Sequence, residues 1–320
     1  MAKVDIVVPC YNYGRYLKDC LESIFNQRSA VDFEVIVIDD CSTDNTLEIL
    51  DRYHDSRLRI IRHAVNEGHV KTISEGIRES RGELIARIDP DDRYRPDYLS
   101  TVVPKFTAHR EVGFVYGDVA IISSQGELVS EECDTIHPEG DAMANEFVEL
   151  LHRNYVCAAT VIARRELWLQ ALPVPEHLAF TDWYYNLMIA RKCKFYYVRR
   201  VLADYRVHDA NLHARTILDG SEEAAVRYIL NRMFAEREPD EALERAKRSA
   251  RHSIYAAQLR TLADKYFGAA MNGDARRCYL EVLRYRPDQI FSNSLVRRLA
   301  ATFMNRKVYD RTKRALGIAQ

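Results

Sequence analysis

The sequence predicts an α/β fold with a mostly parallel central sheet covered by helices on both faces, followed by an all-helical C-terminal region. Three observations predict it. Near-continuous apolar, β-branched runs alternate with amphipathic segments through the N-terminal part, the pattern of strands buried on both faces. Acidic clusters directly follow two of those runs, where a parallel sheet gathers its ligand-binding loops. From about Ser221 onward strand signals vanish and Ala, Leu, Arg and Glu dominate. A boundary near His213–Gly220 gives an expected domain over residues 1–215 and a helical domain over 216–320.

The elements follow in order. Val4–Pro9 (VDIVVP) reads as a buried strand, and Tyr16–Gln27 places Leu17, Cys20, Leu21, Ile24 and Phe25 on one helical face. Phe33–Asp39 is the next strand. Ser42, Thr43 and Asp44 are cap residues for a helix carrying Leu47, Leu50 and Tyr53. Leu58–Arg62, a helix over Lys71–Arg78, a strand over Leu84–Asp89 and a helix over Tyr98–Phe106 continue the alternation. Beyond Val112, two strands, Phe114–Tyr116 and Val119–Ser123, flank Gly117-Asp118, and Glu127–Asp141 reads as a polar loop. Helices are expected over Met143–His152 and Asp182–Ala190. Strands are expected over Cys157–Ala163, Phe195–Val198 and Leu202–Tyr205. In the tail, Tyr266–Pro287 resembles one tetratricopeptide hairpin turning at Gly273-Asp274.

Composition narrows the classes of function. The formal net charge of −1 gives no global field for nucleic acid, so anion recognition falls to local groups. Seven scattered cysteines without a CxxC pair argue against a disulfide framework or a zinc site, and fit a reducing cytoplasm. No secretory leader is expected, and no stretch reaches the roughly 18 apolar residues of a membrane span. Neither GxGxxG, GxxxxGK[ST], GxSxG nor HExxH occurs.

Five clusters carry chemistry. Asp39-Asp40-Cys41-Ser42-Thr43-Asp44 ends a strand; its cap residues explain Ser42 to Asp44, but two preceding aspartates exceed what a cap needs. Asp89-Pro90-Asp91-Asp92 puts three carboxylates within four residues, an arrangement that invites a hard divalent cation and otherwise makes a solvated acidic turn. Tyr11, after Val7-Val8-Pro9-Cys10, offers a ring for stacking on a planar base. Asp182 is either a helix cap or a general base. Arg206 and His208 alternate to one face of an extended segment and suit a diphosphate, or are surface charge. The end of the chain is basic: Arg297, Arg298, Arg306, Lys307, Arg311, Lys313 and Arg314 against Asp310. That is a solvated helix face or a contact with an anionic membrane.

Taken in order, VVPCYN (Val7–Asn12), DDCSTD (Asp39–Asp44), NEG (Asn66–Gly68), GELIARIDPDD (Gly82–Asp92), RPDYL (Arg95–Leu99), TDW (Thr181–Trp183) and YRVH (Tyr205–His208) resemble family 2 of the inverting glycosyltransferases. The resemblance implies the GT-A fold, a Rossmann-like sheet. It implies transfer of a sugar from a nucleoside diphosphate, UDP being the usual one, to a hydroxyl on a glycan or lipid-linked glycan. It implies nucleotide contacts from Pro9, Tyr11, Asp39, Asp40, Lys71, Asp89, Asp91, Arg206 and His208. A divalent cation, Mn²⁺ or Mg²⁺, would sit on Asp91, Asp92 and His208, with Asp182 as catalytic base. Two departures are visible: Thr181 stands where the family often has Glu, and Lys71 is the nearest cation after Gly68 where many members carry Arg. By analogy the product is bacterial surface polysaccharide, made in the cytoplasm at or near the inner membrane face. Rival readings are a nucleotide-sugar pyrophosphorylase, which wants a Gly-rich loop where this chain has only Gly14-Arg15, and a non-catalytic nucleotide-sugar-binding protein.

Overall fold

A computed structural model of the chain describes residues 3–132, 137, 140–176, 178–208 and 216–304. The chain divides into two compact units, one of Met1–Phe147 with Tyr155–Asp209 and one of Val148–Asn154 with Ala210–Gln320.

The first unit is built on β1 (Val4–Cys10), α1 (Gly14–Phe25), β2 (Phe33–Asp39), α2 (Thr46–Leu50), β3 (Leu58–Arg62), α3 (His69–Glu79) and β4 (Leu84–Arg87). Then come β5 (Arg93–Tyr94), α4 (Tyr98–Ala108), β6 (Val112–Ile122), β7 (Leu128–Glu132), β8 (Ala142–Ala144), β9 (Ile162–Arg164), α6 (Arg165–Gln170), α7 (Thr181–Ala190) and β10 (Lys194–Arg206); α5 (Phe147–His152), between β8 and β9 in the chain, belongs to the second unit from Val148 onward. The sheet runs β3-β2-β1-β4-β9-β6-β10-β5, with β7 added to β6 and β8 to β10. Strands β3, β2, β1 and β4 are parallel, so their C-terminal tips share one edge. Between β4 and β6 lies β9, antiparallel to both, while β6 and β10 are parallel again.

Alternation along β1 explains the two helical layers. Val4, Ile6 and Val8 point to a core shared with Leu17, Cys20, Leu21 and Ile24 of α1 and with Leu99 and Val102 of α4. Val7 points the other way, under α3. A Cβ on Gly76 would stand 2.4 Å from Val7 Cγ1, so α3 crosses this close only because it has glycine there.

Several expectations are corrected. Gly117-Asp118 does not break a strand. β6 runs through it, because the buried Asp118 carboxylate accepts a hydrogen bond from Tyr197 Oη at 2.6 Å. Phe195–Val198 and Leu202–Tyr205 are likewise one strand, β10, with irregular register against β6 between Val198 and Ala203. Part of the expected loop over Glu127–Asp141 forms β7 by pairing with β6. The start of the helix expected over Met143–His152 is strand β8, paired to β10, and the segment at Cys157 opens with a 3-10 turn before β9.

The second unit contains α8 (Ser221–Ala235), α9 (Glu241–Gly268), α10 (Asn272–Tyr285) and α11 (Asn293–Ala301). The α9–α10 hairpin turns at residues 269–271, ahead of the expected Gly273-Asp274, which lies in the first turn of α10. Charge pairs brace these helices. Glu223 accepts from Arg227, from both terminal nitrogens of Arg277 at 2.7 Å and from Tyr266 Oη at 2.8 Å. Lys247, fully buried, is neutralised by Glu238 at 2.7 Å and Glu244 at 2.8 Å.

Candidate functional site

The site grows from the tips of β1, β2 and β4. The first two tips are tied together. Asn12 and Cys41 both adopt left-handed backbone, with φ of 59° and 63°. Asn12 Oδ1 accepts from Thr43 N at 2.7 Å, and Ser42 Oγ accepts from Asn12 N at 2.9 Å. Asp44 accepts from Gly14 N at 3.0 Å and Thr46 N at 2.9 Å. A Cβ at position 14 would fall 2.1 Å from Asn45 Oδ1, so this junction requires glycine. Ser42, Thr43 and Asp44 thus clamp two loops, and the residue capping α2 is Asn45. Above the clamp Tyr11 is 43% exposed, and Pro9 is buried in β1.

Asp39 and Asp40 face different tasks. Asp39 Oδ2 accepts from Ser42 N at 3.3 Å. Asp40 holds the Asn66–Gly68 loop: Oδ1 takes Glu67 N and His63 Nδ1, both at 2.7 Å, and Oδ2 takes Gly68 N at 2.9 Å. Burial opposes its charge, but these donors outweigh burial and keep the carboxyl below the usual carboxylate range. One lone-pair position on Oδ2 is not used by these bonds. His63 passes on to Glu75 through Nε2 at 2.7 Å. Burial disfavours its charge, and the two flanking carboxylates raise its pKa nonetheless. Lys71 lies apart from this chain of contacts. Its ammonium faces Glu67 at 3.1 Å and Glu176 at 3.8 Å on the wall of a groove of about 520 Å³ that His63, Glu75 and Val174 also line.

The acidic turn after β4 is gripped by the end of β10. Arg206 N donates to Asp92 Oδ1 at 2.8 Å, and Arg206 Nε to Asp91 O at 2.7 Å. The rest of its guanidinium reaches Ser123 O at 3.3 Å and Asp19 at 3.2 Å, over the ring of Tyr16. Arg206 is 1% exposed. It therefore works as a strut of the turn, with these hydrogen bonds made inside the protein. His208 stacks on Tyr16 and brings Nε2 to 3.0 Å from Asp91 Oδ2. Burial, then repulsion from Asp89, raises the pKa of Asp91. Burial, then Asp91 and Asp89, raises that of the 2%-exposed Asp92 further.

Asp182 lies in the first turn of α7, half-buried. Its charge acts on Arg87, His69 and Cys157, groups on which Asp89 also acts; His69 additionally senses Asp40, and Cys157 senses Asp92. One neighbourhood thus unites the acidic turn, the loop-holding aspartate and the helix start. Two members of it escaped sequence reasoning. Arg87 sits at the end of an otherwise apolar strand and His69 opens α3; the visible signal was a charged residue inside LIARID. Among the described residues, no three His, Cys, Asp or Glu side chains converge to hold a metal ion on their own. Asp91 and His208 form a pair able to share one.

Comparison with known proteins follows the same outline. A family model, Glycosyl transferase family 2, matches residues 5–167. Chondroitin synthase of Escherichia coli is 34% identical over 129 residues, which are 40% of this chain and 18% of that one. The chain thus spans under a fifth of that relative. The fold resembles S. aureus TarS 1-349 in complex with UDP-GlcNAc, with a TM-score of 0.65 at 18% identity over 90% of this chain and 82% of that one. It also resembles the mannosyltransferase PcManGT of Pyrobaculum calidifontis, in complex with GDP-Man and Mn2+, with a TM-score of 0.59 at 16% identity over 95% and 88% of the two chains.

Proposed function

The chain belongs to glycosyl transferase family 2, and from that premise we propose that it transfers a sugar, with inversion, from a UDP-sugar to a hydroxyl of a glycan or lipid-linked glycan in bacterial surface polysaccharide synthesis. The observation that carries this reading is that Asp40, Asp89 and Asp182 all act on His69, while Asp89, Asp92 and Asp182 act on Cys157, beside strand tips that share one sheet edge. The UDP-GlcNAc held by TarS and the product of the chondroitin synthase support the donor and acceptor classes.

In this reading Tyr11 stacks on the base, and the open position on Asp40 Oδ2 takes a base N–H. Asp39 and Pro9 shape that pocket, and Lys71 stays at its rim. The residues at the turn suit a divalent cation that takes few protein ligands and completes its shell with phosphate oxygens. Asp91 and His208 would hold it, with Asp92 beside them and Asp89 toward the ribose. Burial first, and then the crowding of carboxylates, raises the pKa of Asp91 and Asp92, as befits a site short of positive charge. The Mn2+ in PcManGT supports the same ion class. When bound, such an ion supplies charge neutralisation for the leaving diphosphate.

Asp182 takes the acceptor proton as the new bond forms, a contribution of about 10²–10⁴-fold. The test pairs binding with turnover. Thermal shifts across UDP- and GDP-sugars with and without Mn²⁺ should show stabilisation by one donor, enhanced by metal. Asp182→Asn should bind that donor and transfer nothing. Near-normal turnover by Asp182→Asn would refute the base assignment, and indifference to every nucleotide sugar would refute the donor class.

A peripheral contact with the anionic inner leaflet of the cytoplasmic membrane belongs to the same proposal. No helix among the described residues is long and apolar enough to cross a membrane. Near the C-terminal end, Phe291 is 87% exposed and Phe303, Ile290 and Leu280 also face solvent. Arg284 and Arg297 flank Ile290 and Phe291 in sequence, and apolar residues beside cations suit a lipid surface. Arg306, Lys307, Asp310, Arg311, Lys313 and Arg314 lie outside the described residues. Cosedimentation with phosphatidylglycerol vesicles, weakened by Phe291→Ser with Arg297→Glu and absent with phosphatidylcholine, is the expected result. Equal binding to both lipids, or none, would remove this contact.

A further inference from the structure

His63 follows the last residue of β3 and stands between two acids. Nδ1 lies 2.7 Å from Asp40 Oδ1, and Nε2 lies 2.7 Å from Glu75 Oε2. Its side chain is 8% exposed, that of Asp40 3% and that of Glu75 41%. Carboxylate oxygens only accept, so the ring serves both acids when each nitrogen carries a proton. Packing alone does not call for this arrangement. Polar groups taken out of water have to be matched, and an apolar side chain would fill the same space without that cost.

The three donors to Asp40 come from two places. Glu67 N and Gly68 N are consecutive groups of one loop, and Gly68 has a φ of 88°, a conformation that favours glycine. A loop and the carboxylate it holds can shift together. His63 donates from the sheet side instead. Its own N–H donates to Asp39 O at 2.9 Å, and Glu75 of α3 holds the far edge of the ring. The imidazole thus refers the carboxylate to two regular elements rather than to the loop. Glu67 and His63 fill Oδ1, and Gly68 takes one of the two positions on Oδ2.

Resting on the reading of Asp40 as the contact to the nucleobase, we propose that His63 is a positioning residue for donor binding: it saturates Asp40 Oδ1 and pins the carboxylate to β3 and α3, so that the remaining position on Oδ2 meets the base N–H. Without the ring, Oδ1 regains an open position, and the carboxylate can turn or move with the loop. The hydrogen bond to the base then loses its geometry. That bond is made alike before and during transfer, so its loss falls on donor affinity and not on turnover. The diphosphate is met elsewhere, at the Asp89–Asp92 turn, and its binding is left as it was.

The experiment compares His63→Leu, His63→Asn and Asp40→Ala with the wild type in the full chain. It reads UDP affinity by calorimetry with Mn²⁺ present, inhibition of transfer by pyrophosphate, kcat and donor KM. His63→Leu should weaken UDP binding about tenfold, the scale of one misplaced hydrogen bond to a charged group, and raise donor KM alike. Both kcat and inhibition by pyrophosphate should stay within about threefold of the wild type. A general loosening of the fold would move those as well. His63→Asn places an amide N–H where Nδ1 stands and should recover most of the UDP affinity. The proposal is overturned if His63→Leu binds UDP as the wild type does, if kcat or pyrophosphate inhibition falls in step with UDP affinity, or if His63→Asn is as weak as His63→Leu. Should His63→Leu fail to fold, Glu75→Leu decides, since that carboxylate holds the ring from the more exposed side. A rise in the Kd for UDP of about threefold or more at constant kcat supports the role, and no rise overturns it. Failure of the nucleobase reading, which takes this role with it, shows differently: UDP affinity is then unchanged in Asp40→Ala.

Discussion

His208 Nε2 stands 3.0 Å from Asp91 Oδ2, joining the end of β10 to the acidic turn across 117 positions of sequence. An imidazole and a carboxylate so placed can share a cation, and replacing either member of such a pair typically costs 10- to 100-fold in metal affinity, to order of magnitude. His208→Ala should therefore weaken Mn²⁺ binding in the presence of UDP by roughly tenfold or more. Calorimetric titration checks this; unchanged affinity would remove His208 from the proposed ligands.

Arg206 should matter for stability before it matters for chemistry. Arg206→Met strips donors from buried carbonyls and from the turn. About 3 kcal/mol of unfolding free energy should be lost, as for a broken buried network. Arg206→Lys should recover little, since one ammonium cannot span partners reached by a fork. Urea denaturation followed by intrinsic fluorescence measures both.

The Asp40–His63–Glu75 chain predicts a pH effect with a definite sign. His63 has a folded pKa above its ordinary 6.5. Its contribution to stability is complete below that value and is lost as pH rises through the folded pKa. The melting temperature should fall on the alkaline side of 6.5, and His63→Gln should flatten that part of the profile. A variant profile parallel to the wild type would show that the imidazole does not bind a proton between the two acids.

Glu223 works in the opposite direction. Hydrogen bonds from Arg277 lead the causes that lower its pKa from 4.5 to about 2. The stability it adds is present above 4.5 and disappears as pH falls toward 2. Glu223→Gln should lower the melting temperature at neutral pH and erase most of the difference from wild type near pH 2, as circular dichroism at 222 nm would record.

Much of this was legible in the sequence because period and burial agree. β2 and β3 begin and end where their apolar runs do, and the aspartates follow strand tips as a parallel sheet requires. What was hidden depends on distant partners. Asp118 looks like a turn residue until Tyr197 supplies its hydrogen bond. Asp40 shows nothing in sequence of its hold on Glu67 and Gly68. Arg206 and Arg87 are both arginines at strand ends, and nothing in the sequence tells that the first grips Asp91 and Asp92 while the second reaches Asp89 and His69. β7 and β8 are short, weakly patterned strands that exist because β6 and β10 offer edges to pair with.

The uneven register of β10 against β6 also sets a length requirement. Val198 is level with Gly117 and Ala203 with Val119, so β10 spends five steps where β6 spends two. That slack brings Arg206 opposite Ile122 with its side chain facing inward. Removing one residue between Val198 and Ala203 would turn every later side chain of the strand to the reverse face. The guanidinium would be thrown outward and the turn left unbraced, although nothing near the cleft had been altered. Relatives that vary the length of this segment should therefore do so in ways that preserve its parity.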